Sequence, residues 1–320
     1  MDHGLQFSIY GLYVRSDIPL VGARACETAG DLPQIVIRSG TARHRISDAS
    51  KWFASCTQSD GSTWLRCART TGGYLLSYPG LADFEVGSSG ADIIYQRDEA
   101  DVSDLTISAL LLDNVLPLVL NLRGREALHA TAVMTPAGVF AFLGVAGIGK
   151  STLAASFLQA GYAPLCDDCL AVEELAGEFV AYPGYPALRL WEDSLHLLGH
   201  QPDRIHRIAD YTRKSSYVFD DRAESFKQEP LRLARIYSLN RLPASSPDSV
   251  SQSKVEPLGG GEALAEVLEA AFRLDIEDKA MLGRQFEFFS RLASRVPVRR
   301  LRMPDDLAML DDAREMILRD

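Results

Sequence analysis

The chain opens in short alternating runs. Between residues 7 and 96, stretches such as QFSIYGLYVRS, QIVIRS, TWLRCAR, GYLLSYP and DFEVGSS set apolar against polar side chains, with Gly, Pro, Asp and Ser between them. That is the period of half-buried strands joined by turns, and it predicts a small antiparallel β unit. Residues 102–123 are apolar without strand alternation, which predicts helix. From Leu128 the order becomes strand, glycine loop, helix, strand, a βαβ grammar that predicts a parallel sheet. Residues 203–229 are polar and charged and read as a long excursion, with room for short helices. Residues 244–253, ASSPDSVSQS, form the best candidate for a disordered loop. Apolar side chains return at helical spacing over 261–271 and 279–294. Residues 296–303 read as a strand, and 304–320 as a final helix with Pro304 near its first turn. The expected organisation is an antiparallel unit over 1–100 and an α/β domain over 101–320 that ends in a helical extension.

Composition narrows the class. A chain of 320 residues buries a sizeable core without disulfide or metal staples. With 47% apolar and 24% charged residues it is neither disordered throughout nor collagen-like. The net charge of −10 argues against a broad nucleic-acid surface, though not against a local anion pocket. Residues 105–122 are the most apolar stretch, but Asp113, Asn114 and Pro117 interrupt it. It is therefore expected to be a buried helix pair and not a membrane span. The N-terminal stretch has no basic segment followed by a long apolar core. Five cysteines, Cys26, Cys56, Cys67, Cys166 and Cys169, are then expected as free thiols in a reducing cytoplasm.

The most specific signal is Gly144-Val145-Ala146-Gly147-Ile148-Gly149-Lys150-Ser151, followed by Thr152. It fits G-x-x-x-x-G-K-[ST] in full, between the apolar run Gly138–Leu143 and a good helix former beginning at Ser151. Glycines let the backbone turn tightly and bring amide N–H groups onto phosphate oxygens, and the helix adds the positive end of its dipole. Lys150 suits the β- and γ-phosphates, and the Ser151 hydroxyl suits magnesium. The expected ligands are ATP and Mg2+.

A short apolar strand follows the helix and ends in Asp167-Asp168. Adjacent residues on an extended chain point opposite ways. One carboxylate can then serve the metal while its neighbour takes a proton from an acceptor hydroxyl. We expect Asp167 as the base, with Ser151 and Asp168 at the metal. Taken without the loop, the pair reads as a solvated strand end or a helix cap.

These residues resemble the HPr kinase/phosphatase family and its smaller relatives. In that pattern a histidine precedes the strand before the loop, here Leu128-His129, and an Asp-Asp pair closes the next strand, here Cys166-Asp167-Asp168-Cys169. The resemblance covers residues 126–189 well and the rest loosely. It implies a P-loop core and a kinase that moves the γ-phosphoryl group of ATP onto a serine hydroxyl. It further implies that His129 steadies the catalytic carboxylate and that Arg189, in Tyr182-Pro-Gly-Tyr-Pro-Ala-Leu-Arg189, approaches the phosphates. On its own residues, His129 reads as a satisfied core histidine and Arg189 equally as a structural ion-pair partner. The longer glycine-containing signature that goes with phosphatase activity is not found after the aspartates. The N-terminal unit, the Pro-Gly-x-Pro segment and the tail are most similar to kinases of ribosomally made peptides, including those that phosphorylate the C-terminal serine of lasso-peptide precursors. The partners so implied are a nucleotide and a precursor peptide or other serine-bearing acceptor, with a homo-oligomer as an option and neither nucleic acid nor membrane. A kinase of another serine, a nucleotide sensor that transfers nothing, and simple hydrolysis are the competing readings.

Other constellations weigh less. Cys166-x-x-Cys169 has dithiol spacing, but two aspartates fill it and strand-like LAVEE follows, so half-buried inert thiols are expected. A structural zinc would need two further ligands nearby. His196 and His200 are spaced to share a helix face, yet with His206 they read as surface histidines, without the Glu of H-E-x-x-H. Arg213, Lys214, Arg222 and Lys227 form either a basic rim for a phosphate or a peptide carboxylate, or a solvated charged loop. Arg299, Arg300 and Arg302 read as the gatekeepers of an edge strand.

Overall fold

The computed structural model describes residues 4–26, 33–40, 52–58, 60–199, 202–219, 229–241, 253–304 and 306–320. The chain is mixed α/β, with several sheets and helices. It divides into two units: 1–127 with 207–213 and 272–283, and 128–206 with 214–271 and 284–320. The boundary drawn at residue 100 is not where the contacts divide.

The first unit holds a nine-stranded sheet of β1 (Leu5–Ile9), β2 (Leu12–Ser16), β3 (Arg24–Ala25), β4 (Ile35–Ser39), β5 (Trp52–Thr57), β6 (Thr63–Thr70), β7 (Gly73–Tyr78), β8 (Ala82–Gly87) and β9 (Asp92–Arg97). Their order is β3-β1-β2-β4-β9-β8-β7-β6-β5. The expectation of a small antiparallel unit is corrected on both counts. The sheet is large, and β4 pairs parallel with both β2 and β9. Long connections on either side of β4 give the chain the reach that parallel neighbours require.

The apolar run after β9 is α1 (Asp104–Leu110), a π-helical turn at Leu111–Val115, and α2 (Leu116–Leu122). It is one continuous helical run, not a helix pair: Pro117 falls in the first turn of α2, and the widened turn carries Asp113 and Asn114. By length and composition this run is apolar enough to cross a membrane, but most of it is buried within the fold. Its Ser108 Oγ accepts from Val21 N at 2.8 Å, and Arg125 donates to Tyr10 O at 2.8 Å. These bonds place the helix with the strands before it and explain why the unit runs past residue 100.

The second unit is built on a sheet whose main path is β10 (Glu126–Leu128), β14 (Leu170–Leu175), β15 (Glu178–Tyr182), β19 (Leu231–Arg241), β12 (Gly138–Leu143), β11 (Thr131–Thr135) and β13 (Pro164–Cys166). β21 (Val298–Met303) lies on β19, and β20 (Lys254–Pro257) on β21. The expected parallel sheet is corrected to a mixed one. β12, β19 and β21 run parallel, while β11 is antiparallel to both β12 and β13. Because β12 is buried on both faces, its sequence is continuously apolar. Val139, Ala141 and Leu143 join a core with Val267, Phe289 and Leu292 from α5 (Gly260–Ala270) and α6 (Lys279–Arg295). Phe140 and Phe142 face Leu153, Phe157 and Ile317 from α3 (Lys150–Gln159) and α7 (Leu310–Arg319).

Three further expectations change. The excursion over 203–229 contains β17 (Ile205–Arg207) and β18 (Ser215–Val218), which form a three-stranded sheet with β16 (Ala187–Leu190); residues 220–228, including Arg222 and Lys227, lie outside the described residues. Most of the loop expected at 244–253 also lies outside them, and Ser253 is buried. β21 is not an edge strand: β19 and β20 flank it, and Arg299, Arg300 and Arg302 pair with Asp320, Glu266 and Glu256. The final helix begins at Leu310, after a 3-10 turn that Asp306 caps.

Candidate active site

Strand directions bring the chemistry together. β12 ends at the glycine loop, and β13 ends at Cys166, directly before Asp167. β11 lies between them and runs the opposite way, so its first residues reach the same edge. His129, Thr131, the loop and the two aspartates therefore meet at one end of three adjacent strands.

The loop closes onto the start of α3. Gly144 has φ 137° and Gly149, which caps α3, has φ 109°. Both values lie in the region that favours glycine. At Gly144 a Cβ would also meet Leu239 O at 3.2 Å and Ile148 Cγ2 at 3.0 Å. The first amides of a helix have no partner within it, so the start of α3 offers N–H groups to an anion. Lys150 is buried, and its Nζ donates to Gly144 O at 2.6 Å and Val145 O at 3.3 Å. Arg241, at the end of β19, donates to Gly147 O at 2.9 Å and fixes the loop tip. Thr152 does not face the loop's interior by hydrogen bonding; its hydroxyl lies 2.9 Å from that of Ser194 in α4 (Glu192–Leu195).

Asp167 is fully buried and both its oxygens are engaged. Oδ1 accepts from Thr131 Oγ1 at 2.5 Å, Ser151 Oγ at 2.9 Å and Asp168 N at 3.1 Å, and Oδ2 accepts from Arg189 N at 2.7 Å. Burial and the charge of Asp168 push Asp167 above the usual carboxylate range, against the pull of those donors. Asp168 differs. Its backbone is left-handed at φ 61°, held by His129 Nδ1 at 3.1 Å from its carbonyl oxygen. Its side chain keeps 21% of its surface exposed, with the Arg189 guanidinium 3.9 Å away. Burial would raise it, but the charges around it, Arg189 first and then Lys214, outweigh burial and hold it below the usual range.

His129 Nε2 lies 3.1 Å from Lys150 Nζ. An ammonium only donates, so Nε2 accepts and Nδ1 carries the proton given to the Asp168 carbonyl. The neutral ring agrees with a pKa lowered by burial and by Lys150. His129 thus reaches residue 168 through its main chain. Lys150 is likewise lowered by burial, against the two aspartates.

The structure gathers His129, Gly144, Gly149, Lys150, Ser151, Asp167, Asp168 and Arg189 at this edge. Ala146 and Gly147 are exposed on the loop, while Ile148 is half-buried. Sequence reasoning missed Thr131 and Arg241. Thr131 had a legible signal, since a polar residue opening an apolar strand needs a buried partner. Arg241 had none, because its role depends on where β19 ends.

Cys166 and Cys169 bracket the aspartates as buried thiols that form no disulfide, and burial pushes Cys166 well above the ordinary thiol range. Among the described residues no group of three or more His, Cys, Asp or Glu is placed to hold a metal ion. The 3-10 turn that carries His196 ends at Leu198, Gly199 turns to φ 73°, and His200 lies outside the described residues.

The donor set fits a magnesium nucleotide. Ser151 gives its proton to Asp167, which leaves oxygen lone pairs for a cation that takes few protein ligands. The helix amides and Lys150 match phosphate oxygens.

No family model matches this sequence, and no curated protein matches it. A solved structure described as the Hpr(Ser) kinase/phosphatase from Coxiella burnetii is similar over 60% of this chain and 91% of that one, at 13% identity and a TM-score of 0.30. It is a weak likeness to a kinase/phosphatase, and at that score it carries no argument about this chain's chemistry.

Proposed function

We propose that this chain is an ATP-dependent kinase that transfers a phosphoryl group to a serine hydroxyl, with the C-terminal serine of a lasso-peptide precursor as the acceptor. The observation that carries the reading is the unlike pair of aspartates beside the lysine-bearing glycine loop. Asp167 is closed off by four donors, one of them Ser151, whereas Asp168 keeps part of its side chain exposed and is held below the usual carboxylate range by the cations around it. When bound, ATP supplies the transferable group and magnesium offsets its charge. The α3 amides and Lys150 bind the phosphates. Ser151, backed by Asp167, holds the metal. Asp168 orients the acceptor hydroxyl and takes its proton on a carboxylate oxygen. These roles exchange the two aspartates relative to the expectation from sequence. Asp167 is fully buried and both its oxygens already accept hydrogen bonds from the protein, and that is the reason. Positioning and charge neutralisation supply most of the rate in such chemistry.

The test is mass spectrometry of a synthetic peptide ending in serine, incubated with the protein, ATP and magnesium. The expected result is a gain of one phosphoryl group on the terminal serine that Lys150→Met abolishes. ADP release that no acceptor alters would point to hydrolysis. Tight nucleotide binding without turnover would point to a sensor. Either outcome refutes the kinase reading.

A further inference from the structure

β16 and β18 pair antiparallel with Arg189 opposite Ser216 and Leu190 opposite Ser215. One further step of that register sets Trp191 opposite Lys214. The side chains bear this out, because Lys214 Nζ lies 5.8 Å from the centre of the Trp191 ring. Alternation along a strand then divides the ribbon into two faces. Leu188, Leu190 and Tyr217 belong to the core beneath α3. Arg189, Trp191 and Lys214 lie on the opposite face, where the Arg189 guanidinium meets Asp168. Lys214 is half-buried, and Trp191 keeps 49% of its surface exposed. An exposed indole backing a half-buried ammonium is a platform for an anion carried on an organic group.

The charges on this edge assign the platform's ligand. The proposed phosphate ligands are the α3 amides and Lys150, and the Arg189 guanidinium lies beside Asp168. Lys214 directly precedes β18 and sits on the same ribbon face as Arg189, whose guanidinium lies 3.9 Å from Asp168. In a C-terminal serine the α-carboxylate and the hydroxyl are separated by two carbon atoms, so a group that aims the hydroxyl at Asp168 must receive the carboxylate close by. We infer that Lys214, steadied by Trp191, binds the free α-carboxylate of a C-terminal seryl acceptor and so selects a chain end over an internal serine. This rests on the proposed acceptor class and assigns the residue that reads it. The field of Lys214 at Asp168, second only to that of Arg189 among the cations that lower it, is consistent with such proximity.

The test compares one synthetic peptide ending in serine as its free acid and as its C-terminal amide, by equilibrium binding to the full chain with ADP and magnesium present and by steady-state phosphorylation. The acid should bind about tenfold more tightly than the amide, as a charge-assisted contact in a half-buried site implies. That preference should vanish in Lys214→Met and persist in Lys214→Arg, with the KM for ATP unchanged in both. Equal binding of acid and amide to the wild-type protein overturns the inference even if the peptide is phosphorylated. A Lys214→Met variant that keeps the preference, or whose loss falls on the KM for ATP, overturns it as well and makes Lys214 a phosphate ligand. If acid and amide differ through Lys214 but no phosphoryl group is transferred, the kinase reading fails and this assignment stands.

Discussion

Replacing Asp168 with asparagine separates the two carboxylates most cleanly. The backbone at this position is left-handed at φ 61°, a conformation that asparagine tolerates and that costs most other residues about 1–2 kcal/mol. Asp168→Asn therefore keeps the shape and the main-chain bond to His129 and removes only the proton acceptor and its charge. A positioned general base contributes about 10²–10⁴ in rate, or about 2.7–5.4 kcal/mol of barrier. The kcat for peptide phosphorylation should fall by that factor, while the KM for ATP, set by the loop and Lys150, changes little. Asp167→Asn behaves differently. Thr131, Ser151 and two backbone amides all donate to that side chain, and the NH2 that replaces one oxygen cannot accept from the donors facing it. The remaining amide oxygen can still accept the donors on one side, but each buried donor that faces the NH2 is left unmatched at about 1–3 kcal/mol, so this variant should lose stability and require more magnesium. The assay is coupled ADP release with mass-spectrometric readout of the peptide, thermal melting, and a magnesium titration of both variants. A Asp168→Asn enzyme within roughly threefold of wild-type kcat, or about 0.7 kcal/mol, refutes the assignment. So does an Asp167→Asn enzyme that loses the same rate with unchanged magnesium dependence.

Thr131→Val removes one donor from Asp167 and should cost about 1.5–3 kcal/mol at neutral pH. Thr131 pulls down a pKa that burial raises, so the loss is full where Asp167 is charged and shrinks as pH falls through the folded-state pKa. Denaturant unfolding at about pH 7 and about pH 4 checks this sign, and a difference that is the same at both contradicts it. Gly149→Ala meets no neighbouring atom but places a side chain at φ 109°. The strain, about 1–2 kcal/mol, should raise the KM for ATP by about tenfold, and an unchanged KM would show that the loop does not need this conformation. Cys56 is exposed, whereas Cys67 is buried with its thiol pushed up to about 12, and Cys166 is buried with its thiol pushed well above the ordinary range. A thiol reagent should modify Cys56 in the native protein and reach Cys67, Cys166 and Cys169 only on unfolding; fast native labelling of Cys166 would contradict the burial argument.

The sequence by itself determined whatever depends on neighbours along the chain. The glycine loop was legible because its residues must be contiguous to wrap an anion. The Asp167-Asp168 pair was legible because it closes the next strand, and the apolar run over 102–123 because a helix is a local structure. Tertiary structure decided what depends on which strands lie side by side. The insertion of β11 between β12 and β13 brings His129 and Thr131 to the edge where the loop and the aspartates end, and no local pattern encodes that order. The unlike fates of the two aspartates follow from it, since Thr131, Ser151 and Arg189 arrive from three separate elements to enclose Asp167 alone. The same cause turned the polar excursion into β17 and β18 and set Lys214 opposite Trp191. Strand pairing joins residues far apart in sequence, and alternation along one strand tells which face a side chain takes without telling what it will face.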